Sequence, residues 1–468
     1  MQKELIRLIR LLEPGKKIFF LGIGGVGMSG LARLFAARGL EVSGSDVKRT
    51  KTISKLESEG ISVLIGQDGL FENRPDLGVY SSAITKDNLD YQKFESLGIP
   101  LFHRAEVLSF LMNQVISLTI TGAHGKTTSS SMASFLMTQA GLKPSCLVGG
   151  DIINFGSNVL IGDPHLFVAE VDESDRSQLC FSPDFALITN LDTEHLDVYR
   201  DLDDIKNSFR TFIDQVKTTG SLIYCMDDPN LKELASDSRR GGVSYGLSET
   251  ADFYPKDIHL EGFHSSYTLF EKGKQIEQLH LNIPGLHNVL NSLGVIALLR
   301  TFGLTYDRFL KFLPEFKGAG RRLEVKLNRP DLLILDDYAH HPTEIKATIG
   351  ALKGLGRKVT VVFQPHRFSR TVHLAQDFGP VFEQADRVVL TDIYAAGEQN
   401  PSQVQVSVIY DAVKKMNHPD VHIVSRDHII DFLQSHLEGE QTVAFLGAGD
   451  IGEIADEFAG RFENAYSH

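Results

Sequence analysis

The chain has 468 residues, 42% hydrophobic and 23% charged, with a net charge of -13. That length exceeds what one hydrophobic core supports, so about two to four domains of ordinary soluble composition are expected. The acidic balance argues against a nucleic-acid partner. Cys146, Cys180 and Cys225 lack C-x-x-C spacing, which argues against a zinc site or a disulfide framework and fits a reducing cytoplasm.

The opening "MQKELIRLIRLLEPGKK" reads as a short amphipathic helix whose charges interrupt any secretory core. No apolar run reaches the ~20 residues of a membrane span. A cytoplasmic protein with no membrane partner is expected. Residues 1–114 then alternate strand and helix, with strands at "IFFLG", "LEVSGSD", "ISVLIG" and "DLGVYSSAI". The first strand enters Gly22, Gly24 and Gly27, which fit G-x-G-x-x-G ahead of a helical pattern, and Asp46 ends the next strand. Glycines there let the backbone approach a pyrophosphate resting on a helix N-terminus. Alone, this reads as a nicotinamide-dependent oxidoreductase.

A second alternating series occupies residues 115–321. In "TITGAHGKTTSS", Gly122, Ala123, His124, Gly125, Lys126, Thr127 and Thr128 lie between an apolar strand and a helix. Backbone N–H groups at such a helix start cradle phosphates, a lysine neutralises the β/γ oxygens and a threonine hydroxyl suits magnesium. Ile120 stands where a strict phosphate loop has its first glycine. "LFVAEVDESD" sets Glu170 at a strand tip with Asp172, Glu173 and Asp175 beyond it, hard oxygens that suit magnesium. "LITNLDTEHLD" brings His195 after a third strand; an isolated histidine is more often a structural hydrogen-bonding group than a ligand, and only its position raises it here. Asn288 and Asn291, three apart in "HNVLN", face one way on a helix, as a base- or ribose-reading pair or as a polar helix face.

Residues 322–468 form the third series, with strands at "DLLILDDY", "KVTVVFQ", "DRVVLTD", "VHIVSR" and "QTVAFLG". Gly447, Gly449 and Gly452 repeat the glycine fingerprint, but too little chain follows for a βαβ unit, so a tight strand-to-helix turn is expected. The whole pattern predicts an α/β protein of three domains, each a mostly parallel sheet with flanking helices and ligands at the strands' carboxyl ends.

Taken in order, "GIGGVGMSG", "TGAHGKTT", "EVDESD", "TNLDTEHLD", "HNVLN", "GRR", "DDYAHHPTE" and "QPHRFSRT" resemble the Mur ligase family of bacterial cell-wall synthesis over nearly the whole chain. The resemblance implies a Rossmann-like first domain for a UDP-sugar, a P-loop central ATPase domain and a Rossmann-like third domain for the amino acid. It gives the pyrophosphate to Gly24, Gly25, Val26 and Gly27, and the uridine side to Asp46, Ser81 and Ser82. Lys126 goes to the ATP phosphates, Thr127 and Glu170 to magnesium, and His195 to a second magnesium. Asn288 and Asn291 match the adenine side, and Arg322 with Asp337 the groups that hold ATP from the domain junction and the third domain. Tyr338, His340, His366, Arg367 and Arg370 are the carboxylate-binding candidates, arginine's planar fork being suited to carboxylate.

The implied reaction is ATP-dependent joining of L-alanine to the lactyl carboxylate of UDP-N-acetylmuramate through an acyl phosphate. A relative that attaches a whole recycled peptide to the same sugar is the alternative. The oxidoreductase and an inactive nucleotide-binding regulator are remoter ones. Ala123, Arg176 and Gln178 depart from the family pattern, the last two at positions expected to influence the sugar carboxylate.

Overall fold

A computed structural model describes residues 11–69, 71, 73–195, 198–238, 241–400 and 402–463. Most of the expected N-terminal helix falls outside these residues. By compactness the chain divides into two units. The first runs to Tyr254 and includes Glu271–Lys274 and Asn291–Phe312; the second holds Pro255–Phe270, Gln275–Leu290 and the chain from Leu313 on.

In the first unit, β1 (Lys17–Leu21), β2 (Glu41–Asp46), β3 (Ser62–Ile65), β4 (Leu77–Tyr80) and β5 (Leu101–His103) form a parallel sheet of order 3-2-1-4-5. Central strand β1 is apolar on both faces, and Ile18, Phe19, Phe20 and Leu21 are buried, as parallel strands covered by helices must be. The strand order reverses beside β1, so the glycine loop that leaves Leu21 sits at the switch point, where such sheets open a crevice.

The same unit contains β6 (Ile116–Thr121), β7 (Pro144–Ile152), β8 (Ser157–Leu160), β9 (Asp163–Glu170), β10 (Phe185–Ile188), β11 (Ser221–Cys225) and β12 (Val243–Tyr245), ordered 12-11-10-6-9-7-8. All these pairings are parallel except β7 with β8. Strand β6 is again central and feeds the helix Lys126–Gln139, in which every residue from Thr127 to Met137 is buried. That helix is covered all round, which explains why its serine-rich sequence shows no apolar stripe.

Most of β13 (Phe253–Glu261), β14 (His264–Glu271) and β15 (Lys274–Leu281) falls in the second unit. That unit also holds a sheet of order 16-17-21-18-19-20, built from β16 (Glu324–Asn328), β17 (Leu332–Asp337), β18 (Lys358–Phe363), β19 (Arg387–Leu390), β20 (Val421–Ile423) and β21 (Gln441–Leu446). Only the β16–β17 pairing in it is antiparallel. Two apolar clusters pack against this sheet, one containing Leu333, Leu335 and Val361, the other Ile334, Val443 and Phe458; residues alternate faces along each strand. The fold is therefore the expected three-domain α/β architecture with mostly parallel sheets. No helix of the described residues is long and apolar enough to cross a membrane.

Candidate active site

The first glycine loop is closed by a carboxylate. Gly22 turns the chain at φ 75°, the Gly24 N–H donates to Asp46 Oδ2 at 2.8 Å, and Gly25 caps the helix Val26–Ala37. That helix has no acidic residue in its first turn, so its exposed amides and dipole favour an anion. Asp46 thus shapes the loop holding Gly24, Gly25, Val26 and Gly27. Ser81 and Ser82 follow β4, and the Ser82 hydroxyl donates to Asp175 Oδ2 at 2.6 Å, reaching the acidic stretch after β9.

The second loop is more tightly braced. Ala123 N donates to Asn190 O, His124 N donates to the Asn190 side chain at 2.8 Å, and His124 O accepts from Thr189 Oγ1 and Asn190 Nδ2. Gly122 has φ 124°, and a Cβ on it would strike the Thr189 hydroxyl. Gly125 has φ 81°, and a Cβ there would stand 2.5 Å from Asn291 Oδ1. Glycine is required at both on conformation and on space. His124 also pairs with Asp192 at 2.8 Å, while Thr128 is buried in the first turn of the helix.

Lys126 occupies the centre of this loop. Its ammonium donates to Gly122 O at 2.6 Å, Ala123 O at 2.9 Å and Glu173 Oε1 at 3.0 Å. Burial opposes this charge, but Glu173, Asp172 and Glu170 overcome it and hold the ammonium above its ordinary range. Thr127 Oγ1 donates to Glu170 Oε1 at 3.1 Å; the other carboxylate oxygen accepts from Gly149 N at 2.8 Å and Ser130 Oγ at 3.3 Å. A hydroxyl and a carboxylate side by side at a phosphate loop are hard oxygen donors, which fit magnesium. His195, at φ 56°, lies 3.5 Å from Glu173 and 3.6 Å from Glu194, and one ligand atom from each of the three falls within a span of 4.8 Å. Burial works against charge on His195, and the hydrogen-bonded Glu173 carboxylate more than offsets it, raising its pKa.

Arg176 and Gln178, the departures from the family pattern, are held inside this unit. Arg176 pairs with Asp204 at 2.6 Å and lies 4.5 Å over the Tyr199 ring; Gln178 is buried and donates to Tyr199 Oη and Ser208 Oγ. Tyr199 in turn donates to Glu173 O at 2.7 Å, so both residues support the loop that engages Lys126. Ala123 contributes main-chain groups to these contacts.

In the second unit the remaining candidates gather at the carboxyl ends of β17 and β18. Asp337 is buried and accepts from Leu323 N, Ala339 N and Thr348 Oγ1; burial raises its pKa to about 6 despite Arg322. Arg322 pairs with Glu344 at 3.2 Å and lies over the Tyr338 ring. His340 packs edge-on to Tyr338 and His366, and His366 stacks on Tyr394. Burial and neighbouring arginines keep both histidines neutral, His366 down to about 3. Arg370 lies 3.3 Å from His366 Nδ1, and Arg367 lies 3.8 Å from Glu398. Asn288 donates to Pro284 O at 2.8 Å from the helix that also carries Asn291.

The last glycine cluster is a strand-to-helix turn between β21 and the helix Ile451–Glu463. Its carbonyls are occupied: Arg321 donates to Gly447 O at 2.7 Å and Gly449 O at 3.0 Å. Asn190 and Arg104 were not among the sequence candidates for the site, and Glu173 was read only as one of several magnesium-suited carboxylates. The "DESD" run names Glu173, but its pairing with Lys126 is visible only once β6 and β9 are adjacent.

Comparison with known proteins agrees with this geometry. Residues 17–115 match the Mur ligase family catalytic domain, 120–299 the Mur ligase middle domain and 321–449 the Mur ligase glutamate ligase domain. The UDP-N-acetylmuramate–L-alanine ligase of Carboxydothermus hydrogenoformans is 38% identical over 446 residues, covering 95% of this chain and 96% of that protein. The enzyme of the same name from Caldanaerobacter subterraneus is 38% identical over 450 residues, covering 96% and 98%. Among solved structures, UDP-N-acetylmuramate-alanine ligase from Thermotoga maritima superposes with a TM-score of 0.82 at 26% identity, covering 96% of this chain and 99% of that one. A murein peptide ligase from Psychrobacter arcticus shares the fold at a TM-score of 0.71 and 23% identity, over 95% and 99% of the chains. With two glycine-rich loops at strand ends and matches along nearly its full length, the chain belongs to the Mur ligase family.

Proposed function

We propose that this chain joins L-alanine to the lactyl carboxylate of UDP-N-acetylmuramate with hydrolysis of ATP to ADP and phosphate, in the cytoplasmic assembly of peptidoglycan precursors. The observation that carries the reading is the cradle of Lys126, Thr127 and Glu170 at the neighbouring ends of β6 and β9, in a chain 38% identical to enzymes of that name. The working division is a UDP-sugar domain at 1–114, an ATP domain at 115–321 and an amino-acid domain at 322–468.

The lactyl carboxylate attacks the γ-phosphorus of ATP, giving an acyl phosphate and ADP. The neutral amine of L-alanine then adds to the acyl carbon, and the tetrahedral intermediate collapses to the amide with loss of phosphate and a proton. Positioning and charge neutralisation dominate such transfers. Lys126 offers its ammonium to the phosphates, with the loop amides from Gly122 to Thr128 oriented by Thr189 and Asn190. Thr127 and Glu170 would hold magnesium, and His195 a second ion; bound magnesium shields the oxygens of the transferred phosphoryl group. Gly24, Gly25, Val26 and Gly27 take the diphosphate, with Asp46, Ser81 and Ser82 toward the uridine. Asn288 and Asn291 take the adenine side, and Arg322 and Asp337 contribute to ATP. Arg367 and Arg370 pair with substrate carboxylate beside Tyr338, His340 and His366, whose neutral imidazoles leave the charge to the arginines.

Phosphate release from Mg-ATP should require both UDP-N-acetylmuramate and L-alanine and yield the matching amide. Release with the cell-wall tripeptide in place of L-alanine would move the chain to the recycling branch. No release with any amine would refute ligase activity.

A further inference from the structure

Arg104 stands between the two phosphate loops. It opens the helix Arg104–Met112 directly after β5, at the carboxyl edge of the first sheet. One nitrogen, Nη1, lies 3.4 Å from where a Cβ on Gly27 would stand, beside the glycine loop. The other, Nη2, points at the acidic stretch after β9, 3.2 Å from Asp172 Oδ2 and 3.5 Å from Asp175 Oδ2. Asp175 also receives Ser82 and lies 3.7 Å from His103 Nε2.

Resting on the proposed function, we infer that Arg104 is a binding residue for the diphosphate of the UDP-sugar, and that Asp172 and Asp175 occupy its guanidinium in the free protein as a placeholder for that anion. A guanidinium adjoining a helix start lined by Gly24, Gly25 and Gly27 supplies a full positive charge where the loop offers only amides and a dipole. Its fork engages two oxygens at once, a geometry that a lysine does not reproduce. Asp172 and Asp175 compete for the same fork. Sugar affinity is therefore set by an exchange of partners, and loading releases carboxylates on the same stretch that carries Glu173, the partner of Lys126.

The test is calorimetric titration of the full chain with UDP, UDP-N-acetylglucosamine and UDP-N-acetylmuramate, in wild type and in Arg104→Ala, Arg104→Lys and Asp172→Asn. The expected result is a loss of about 10–100-fold for all three ligands in Arg104→Ala, with partial recovery in Arg104→Lys. Asp172→Asn weakens the competitor and should tighten all three by about 2–5-fold. A merely structural role for Arg104 would not produce tightening in the Asp172 variant. Unchanged affinities in Arg104→Ala would overturn the inference. So would a loss confined to UDP-N-acetylmuramate, which would assign Arg104 to the lactyl carboxylate. A wild type that binds none of the three would sink the proposed function itself, and the inference with it.

Discussion

Glu173 holds the ammonium of Lys126 through both carboxylate oxygens, at 3.0 and 2.9 Å, with both side chains largely shielded from solvent. The pair keeps the lysine charged and folded onto its own loop. Removing one member leaves the other as a buried charge short of its nearest counterion. Lys126→Met should therefore lower turnover by roughly 100–1,000-fold through lost charge neutralisation. It should also cost about 3 kcal/mol of stability from the stranded Glu173. Adding Glu173→Gln should restore much of the stability and none of the turnover. Urea unfolding and phosphate release on the two variants separate these roles. A Lys126→Met protein with normal turnover, or a double variant no more stable than the single one, would overturn the argument.

Gly149 offers a way to disturb Glu170 without touching it. A Cβ on Gly149 would stand 2.5 Å from Glu170 Oε1 and 2.7 Å from its carboxyl carbon. The obstruction is the end of a flexible side chain, so Gly149→Ala should fold while pushing the carboxylate off Thr127. Supporting contacts of this kind are worth about 10–100-fold in metal affinity. The magnesium concentration for half-maximal turnover should rise by that order, and turnover at saturating magnesium should largely recover. An unchanged magnesium requirement would remove Glu170 from the metal assignment.

How much of this was legible in the sequence depended on distance along the chain. Strands β1, β6, β17 and β21 announce themselves as apolar, β-branched runs because both faces are covered. β16 does not: it is a short, half-polar run, "EVKLN", pairs antiparallel and carries an irregularity between Val325 and Leu327. The phosphate loop was readable because Gly122, Gly125, Lys126 and Thr127 are neighbours in sequence. Its supports were not, since Glu173 lies 47 residues from Lys126 and Asn190 lies 66 from His124. Asp46 was read as the end of its strand, as β2 shows, but its contact with Gly24, like that of Arg321 with Gly447, belongs to the fold alone.

The second unit should be sensitive to mild acid. His366 and His287 are pushed down to about 3 and about 4 from an ordinary value of 6.5, chiefly by burial and then by arginines. The unfolded chain thus binds protons that the folded one refuses. Their stability contribution is complete above pH 6.5 and is lost progressively as pH falls toward those values. Asp337 acts in the opposite sense. Its carboxyl ionises near 3.8 when unfolded and about 6 when folded, so stability falls as pH rises through that window. His366→Gln should flatten the loss of melting temperature between pH 6.5 and 4, and Asp337→Asn should steepen it. Parallel curves for wild type and both variants would show that neither group is linked to folding.

Adjacent arginines should separate stability from activity. Arg321 donates to Asp336 Oδ2 at 3.0 Å and to the carbonyls of Gly447 and Gly449, tying β17 to the turn after β21. Asp336 is almost wholly buried, and burial raises its pKa even with Arg321 in place. Arg321→Ala leaves that carboxyl and two carbonyls without their donor, at a cost of about 3 kcal/mol; proton uptake by Asp336 limits the charge penalty. Arg322 instead pairs with Glu344 at 3.2 Å and rests on the Tyr338 ring from a partly exposed position. Arg322→Ala should cost only about 1 kcal/mol. If Arg322 contributes to ATP as proposed, that variant should lower kcat/KM for ATP by about 100-fold, as loss of a charge-stabilising donor does. Unfolding and steady-state kinetics on both proteins decide the matter. An Arg322→Ala enzyme as active as wild type would leave Arg322 a structural residue, and an Arg321→Ala protein of wild-type stability would show that Asp336 is sustained by other contacts.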